Sequence, residues 1–199
     1  MLQALLLTAL TAPPIPVILG PSTALSPFVL ESARKEVSAI YRQSAFPVVW
    51  NEEGGHAHAP RLVVLFRDGE SFPIKTEREA LGLALLSHDD ELPNTRVLVV
   101  FVDRLQSLLR CSCPLAQGRA LGRVIAHEMG HSLKYAENHS SDGLMRAHIP
   151  RLQWSAPNRR DFYFAQEDEV QIHERLRLKA GFSVSSETNG GREGVAVTP

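Results

Sequence analysis

The spacing of hydrophobic and polar residues assigns most of this chain to helices and strands. Between Pro27 and Ala45, the residues Val29, Leu30, Ala33, Val37, Ile40 and Tyr41 recur at helical spacing and predict a first helix. Phe46–Trp50 reads as a strand, 51–60 as a loop containing glycine and histidine, and Arg61–Phe66 as a second strand ending in a turn at Asp68-Gly69. Ala80–Leu86 is apolar and fits either a strand or a helix. Arg96–Val102 is a continuous, largely β-branched run, as in a strand buried on both faces. Leu105–Leu109 adds a short helix. Leu121, Val124, Ile125, Met129 and Leu133 then form the apolar stripe of a helix over about 115–135, with Pro114 suited to its first turn. Phe164–Lys179 reads as a C-terminal helix marked by Val170, Ile172, Leu176 and Leu178. The polar, Gly-containing stretch 183–199 predicts a disordered tail. No internal repeat is visible.

The N-terminal stretch Leu2–Leu19 carries no charged side chain. It reads as the core of a secretory signal, with small residues for cleavage at Ala9–Ala12 but no basic segment before it; a cytosolic N-terminal arm is the alternative. Pro13, Pro14 and Pro16 argue against a regular membrane-spanning helix. The division expected is therefore an apolar segment over 1–24, one folded domain over 25–182, and the tail. A length of 199 residues and 44% hydrophobic residues suit a single globular domain, and a net charge of −1 gives no sign of nucleic-acid binding.

The chemistry concentrates in His127-Glu128-Met129-Gly130-His131. Residues four apart on a helix differ by about 40° in direction and about 6 Å in height. Both imidazoles can therefore reach one metal ion, while Glu128 sits beside it. This is the arrangement of a zinc hydrolase: Zn2+ acidifies a bound water and the carboxylate takes its proton. Catalytic zinc usually has three protein ligands and one open position, so a third ligand is needed. His139 lies eight residues after His131, past the expected end of the helix, and Asn138 suits a left-handed residue in the turn that would return it. Glu137 is the rival, and Glu167 or Glu169 would serve a hydrolase site of two histidines and a glutamate; a non-catalytic zinc-binding protein is the other alternative. Gly118, Gly122 and Gly130 each cost the helix about 1 kcal/mol relative to alanine, which points to close approach by a strand or by the metal site.

Ser141-Asp142-Gly143-Leu144-Met145 follows, and the order of His-rich helix, third ligand, tight turn and methionine resembles the metzincin metalloproteases. Their motif is H-E-x-x-H-x-x-G-x-x-H followed by a Met-turn. His127, Glu128, His131 and Met145 match it. The chain departs at two places: Lys134 stands where the motif has glycine, and His139 comes two residues late, with Glu137 at the standard third-ligand position. The H-S-x-x-G-L-M-R wording is also similar to a group of small bacterial proteins of this type. The resemblance is tight over about 120–146 and weak elsewhere. It implies an α+β, metzincin-like zincin domain with a small mixed sheet, a zinc-binding helix, a Met-turn and a C-terminal helix. It further implies a zinc endopeptidase acting on a peptide or protein substrate, with metal ligands His127, His131 and, across a longer loop, His139, with Glu128 as general base, and with Met145 beneath the metal without ligating it. In such proteins an edge strand above the cleft binds extended substrate; here it is expected within 80–103.

Other polar residues carry plainer expectations. His56 and His58 are read as solvent-exposed loop residues, and His88, His148 and His173 as surface residues. Asp142 is read as a turn former, Arg159-Arg160 as a solvated loop, and Cys111 and Cys113 as small buried side chains.

Overall fold

The computed structural model describes residues 12–50, 61–74, 76, 77, 79–86, 95–109 and 113–187, with side chains through Arg177. Among them five strands form one sheet: β1 (Ile15–Leu19), β2 (Val48–Trp50), β3 (Arg61–Arg67), β4 (Gly82–Leu85) and β5 (Thr95–Phe101), in the order β2-β1-β3-β5-β4. The first four in that order run parallel, with Val17 opposite Leu62 and Val63 opposite Val97. Only β4, on the edge, is antiparallel, with Leu83 opposite Val99. Among the described residues five helices accompany the sheet: α1 (Pro27–Gln43), α2 (Val102–Leu109), α3 (Pro114–Lys134), α4 (Arg151–Ser155) and α5 (Gln166–Glu187).

Strand β1 corrects the expected boundary at residue 24. Ile15 and Val17 are buried, and β1 lies inside the sheet between β2 and β3. Pro16 is tolerated because pairing with β3 begins one residue later, at Val17, so its missing N–H falls at the start of that ladder. The ambiguous segment 80–86 contains a strand, and α5 continues through 187, into the stretch expected to be disordered. Helix α4, whose Trp154 is buried, had no counterpart in the sequence reading. Among the described residues, no helix is long and apolar enough to cross a membrane.

Helix α1 starts at Ser26, whose hydroxyl accepts from the Val29 N–H at 3.3 Å, with Pro27 in the first turn. Its apolar stripe packs on α3. The glycines of α3 make that packing close: a Cβ on Gly118 would lie 2.3 Å from Ser32 Cβ, and one on Gly122 would lie 2.7 Å from the Ala33 carbonyl oxygen. The approaching element at these two glycines is therefore a helix rather than a strand. Between the helices, fully buried Arg123 donates to Glu36 at 2.9 Å and to the carbonyl of Asn158 at 2.7 Å, and stacks over Phe162. Arg159 donates to the other Glu36 oxygen at 2.8 Å, so it is an ion-pair partner of a buried carboxylate and not a freely solvated loop residue. Arg104 fixes the approach to β4, donating to Thr76 Oγ1 and to the Glu77, Ala80 and Gly69 carbonyls at 2.9–3.1 Å.

Candidate metal centre

Helix α3 ends at Lys134, and Tyr135 takes the left-handed conformation at φ 55°, its N–H bonded to the His131 carbonyl. The expected turn residue was Asn138; the reversal comes three residues earlier, immediately after the lysine that replaces the motif glycine. The early reversal leaves enough chain for His139 to return to the helix. His127, His131 and His139 then offer ring nitrogens that all lie within 4.8 Å of one another. The His127 and His131 ring centroids are 4.7 Å apart, and His139 lies 5.4 Å from the first and 4.7 Å from the second.

Two backbone carbonyls fix the ring states. His127 Nδ1 donates to the Leu144 carbonyl at 2.8 Å, and His131 Nδ1 to the Ala136 carbonyl at 2.9 Å. A carbonyl only accepts, so both Nδ1 atoms carry the proton and both Nε2 atoms of the neutral rings present lone pairs. Those Nε2 atoms face each other at 3.1 Å. Burial disfavours relief by an added proton: it is the largest cause holding His127 down to about 3, helped by the nearby His131. Burial also lowers His131 and His139. Two lone pairs at hydrogen-bond distance, with a third imidazole beside them, fit a cation bound by nitrogen. Neutral imidazoles are the donor set zinc takes.

Glu128 packs on the edge strand. A Cβ on Gly82 would lie 2.7 Å from Glu128 Cγ and 2.8 Å from Oε1, so the glycine is what lets the carboxylate lie against β4. Burial lifts Glu128 to about 8, partly opposed by a hydrogen bond from the Ala84 backbone. A positive charge among the histidines would favour its ionised form again.

The Ser141–Met145 turn closes the floor. Gly143 is left-handed at φ 71°, and the Leu144 N–H donates to the Tyr163 carbonyl at 2.6 Å. Met145 is fully buried against Gly130, where an added Cβ would come within 2.3 Å of its sulfur. The third helix glycine therefore faces this methionine. Asp142 lies exposed in the turn, and the partner of His127 is the Leu144 carbonyl instead. Glu137 and Glu167 are exposed, Glu169 is half-buried, and none of them joins the histidine cluster.

Two expectations about isolated residues change. Cys113 is exposed at the start of α3, and His173 is half-buried with its ring 4.6 Å from that of Phe46. His148 is exposed as expected, while His56, His58, His88 and Cys111 lie outside the described residues. Sequence reasoning passed over Asp168. It considered the glutamates on either side as ligands, but the helical phase of α5 buries Asp168 completely.

These elements form a metzincin-like α+β fold, a mixed sheet backed by helices with a histidine cluster at the end of the central helix. Among solved structures, archaemetzincin from Methanopyrus kandleri has this fold: it is 14% identical, with a TM-score of 0.53 over 86% of this chain and 99% of that one. No family model and no curated protein matches the chain.

Proposed function

We propose that this protein is a zinc-dependent peptidase, with His127, His131 and His139 as metal ligands and Glu128 as general base. The observation that carries the reading is the pair of bare Nε2 atoms 3.1 Å apart with a third imidazole next to them, on the helix that also bears the buried carboxyl of Glu128. Among the described residues the cluster holds three ligands and no fourth, which leaves room for water and suits catalysis better than a closed structural site. Zinc bound there would supply a Lewis acid that acidifies water and polarises a carbonyl. Glu128 handles the proton. It takes one from the water whose oxygen forms a bond to the peptide carbon, and gives it to the nitrogen as the C–N bond breaks. Among the described residues β4 pairs only with β5, and its other edge suits an extended peptide lying across Glu128, an arrangement that favours internal cleavage.

The test is Glu128→Ala, assayed for bound zinc and for hydrolysis of an unstructured protein. The variant should keep about one zinc per chain and lose nearly all cleavage. Retained cleavage sinks the mechanism, and loss of zinc makes Glu128 a ligand. A site with Glu137 in place of His139 predicts a different pattern, in which Glu137→Ala loses the metal and His139→Ala keeps it. The exposure of Glu137 outside the cluster favours the three-histidine site.

A further inference from the structure

His139 is the ligand least supported by its own surroundings. His127 and His131 ride on α3 and have their Nδ1 atoms tied to carbonyls, whereas His139 is exposed on the loop after the helix. Its position must come from the backbone on either side. Before it, Lys134 Nζ donates to the Asn138 carbonyl at 3.3 Å. After it, the Ser140 N–H donates to the Met145 carbonyl at 2.9 Å, and the Ser140 hydroxyl meets the two oxygens of Asp168 at 2.7 and 2.8 Å. Lys134 Nζ also donates to Asp168 Oδ1, at 2.6 Å. Both flanks of His139 therefore converge on one carboxylate, which is wholly buried and projects from α5.

We propose that Asp168 is a positioning residue which, through Lys134 and Ser140, holds His139 at the metal site. Lys134 is the last residue of α3, so the same carboxylate joins the helix bearing two ligands to the loop bearing the third. This accounts for both departures from the metzincin motif together. A lysine replaces the helix-ending glycine because its ammonium spans from Asp168 to the ligand loop. The histidine can then come two residues late, because the longer loop is fastened at both ends.

The proposal rests on reading the three histidines as metal ligands, and the experiment separates the two. Asp168→Asn strands a buried ammonium and can fail to fold, so the decisive variant is Ser140→Ala, which leaves the Lys134–Asp168 pair intact. Zinc affinity is measured by competition with a chromogenic chelator in wild type, Ser140→Ala, His139→Ala and the double variant. The visible absorption of the cobalt-substituted proteins reports coordination geometry. Ser140→Ala should weaken zinc by roughly tenfold, the lower end for groups that orient ligands, and change the cobalt band, while the metal-free protein still unfolds in a cooperative transition. In the His139→Ala background the same change should have no further effect, because no ligand is left to position. Wild-type affinity and spectrum in Ser140→Ala overturn the proposal, as does a tenfold loss that persists without His139. A wild-type protein that binds no zinc overturns the three-histidine site along with it. Zinc binding without peptide cleavage overturns only the peptidase reading.

Discussion

The buried carboxyl of Glu128 gives the metal-free protein a pH dependence that one substitution should erase. Burial lifts this group to about 8, while in the unfolded chain it ionises near its ordinary 4.5. Between those values the folded protein holds a proton at Glu128 that the unfolded chain has lost, so stability falls as pH rises. The histidines act in the opposite sense. His127 sits near 3 when folded and near 6.5 when unfolded, so stability rises with pH until about 6.5 and is then level. Above pH 6.5 the histidine effect fades while that of Glu128 continues. From 6.5 to 8, at roughly 1.4 kcal/mol per pH unit, the loss is about 2 kcal/mol. Glutamine has the shape without the proton and should show no such slope. Urea denaturation of chelator-treated wild type and Glu128→Gln at pH 6.5 and 8 makes the comparison. Parallel loss in both proteins would refute the argument, because the slope could then not belong to this carboxyl. Zinc should flatten the wild-type slope, since a nearby +2 charge favours the ionised carboxylate.

Other outcomes follow from the packing. Gly130→Ala drives a methyl toward the Met145 sulfur, which lies 2.3 Å from the new Cβ position. It should cost about 1–3 kcal/mol in urea denaturation and weaken zinc measurably by chelator competition; unchanged stability would mean the methionine moves aside freely. Arg123→Met leaves Glu36 buried with only Arg159, and should destabilise by about 3–5 kcal/mol without altering zinc stoichiometry. His139→Ala should lose most zinc affinity and Glu137→Ala should keep it; the reverse assigns the third ligand to Glu137. If the N-terminal segment is removed on export, mass spectrometry should find the mature terminus before Ile15. A chain starting at Ala24 lacks β1 and should give no cooperative unfolding transition; a normal transition would show that β1 is dispensable.

The sequence was most informative where the pattern is local. Helix α3, strands β3 and β5, and the three histidines follow from spacing and chemistry within short windows. Strand β1 escaped because an uncharged apolar run near the N-terminus with three prolines looks the same whether it leads to a membrane translocon or sits between two parallel neighbours. Only its partners, Leu62 and Val48, distinguish the two, and both are remote in sequence. Asp168 escaped for a related reason. Three consecutive acids stand at the head of α5, and nothing local says which one turns inward. The glycines of α3 were recognised as sites of close approach, but their partners were not, since α1 lies far upstream. Cys113 and His173 were misjudged because residue type predicts burial only on average.

The compactness of the proposed ligand set in the chain has a thermodynamic consequence. The three histidines stand at spacings of four and eight residues. Loops that short cost little entropy to close, so an unfolded polypeptide still offers zinc a chelating site. Metal that binds both states stabilises the fold by less than its affinity for the native state implies. The melting temperature should therefore climb with zinc concentration and then level off, once the denatured chain is itself metallated. The height of that plateau measures only what remote residues add to the site: the Leu144 carbonyl behind His127, the sheet edge beside Glu128, and the α5 carboxylate behind the loop.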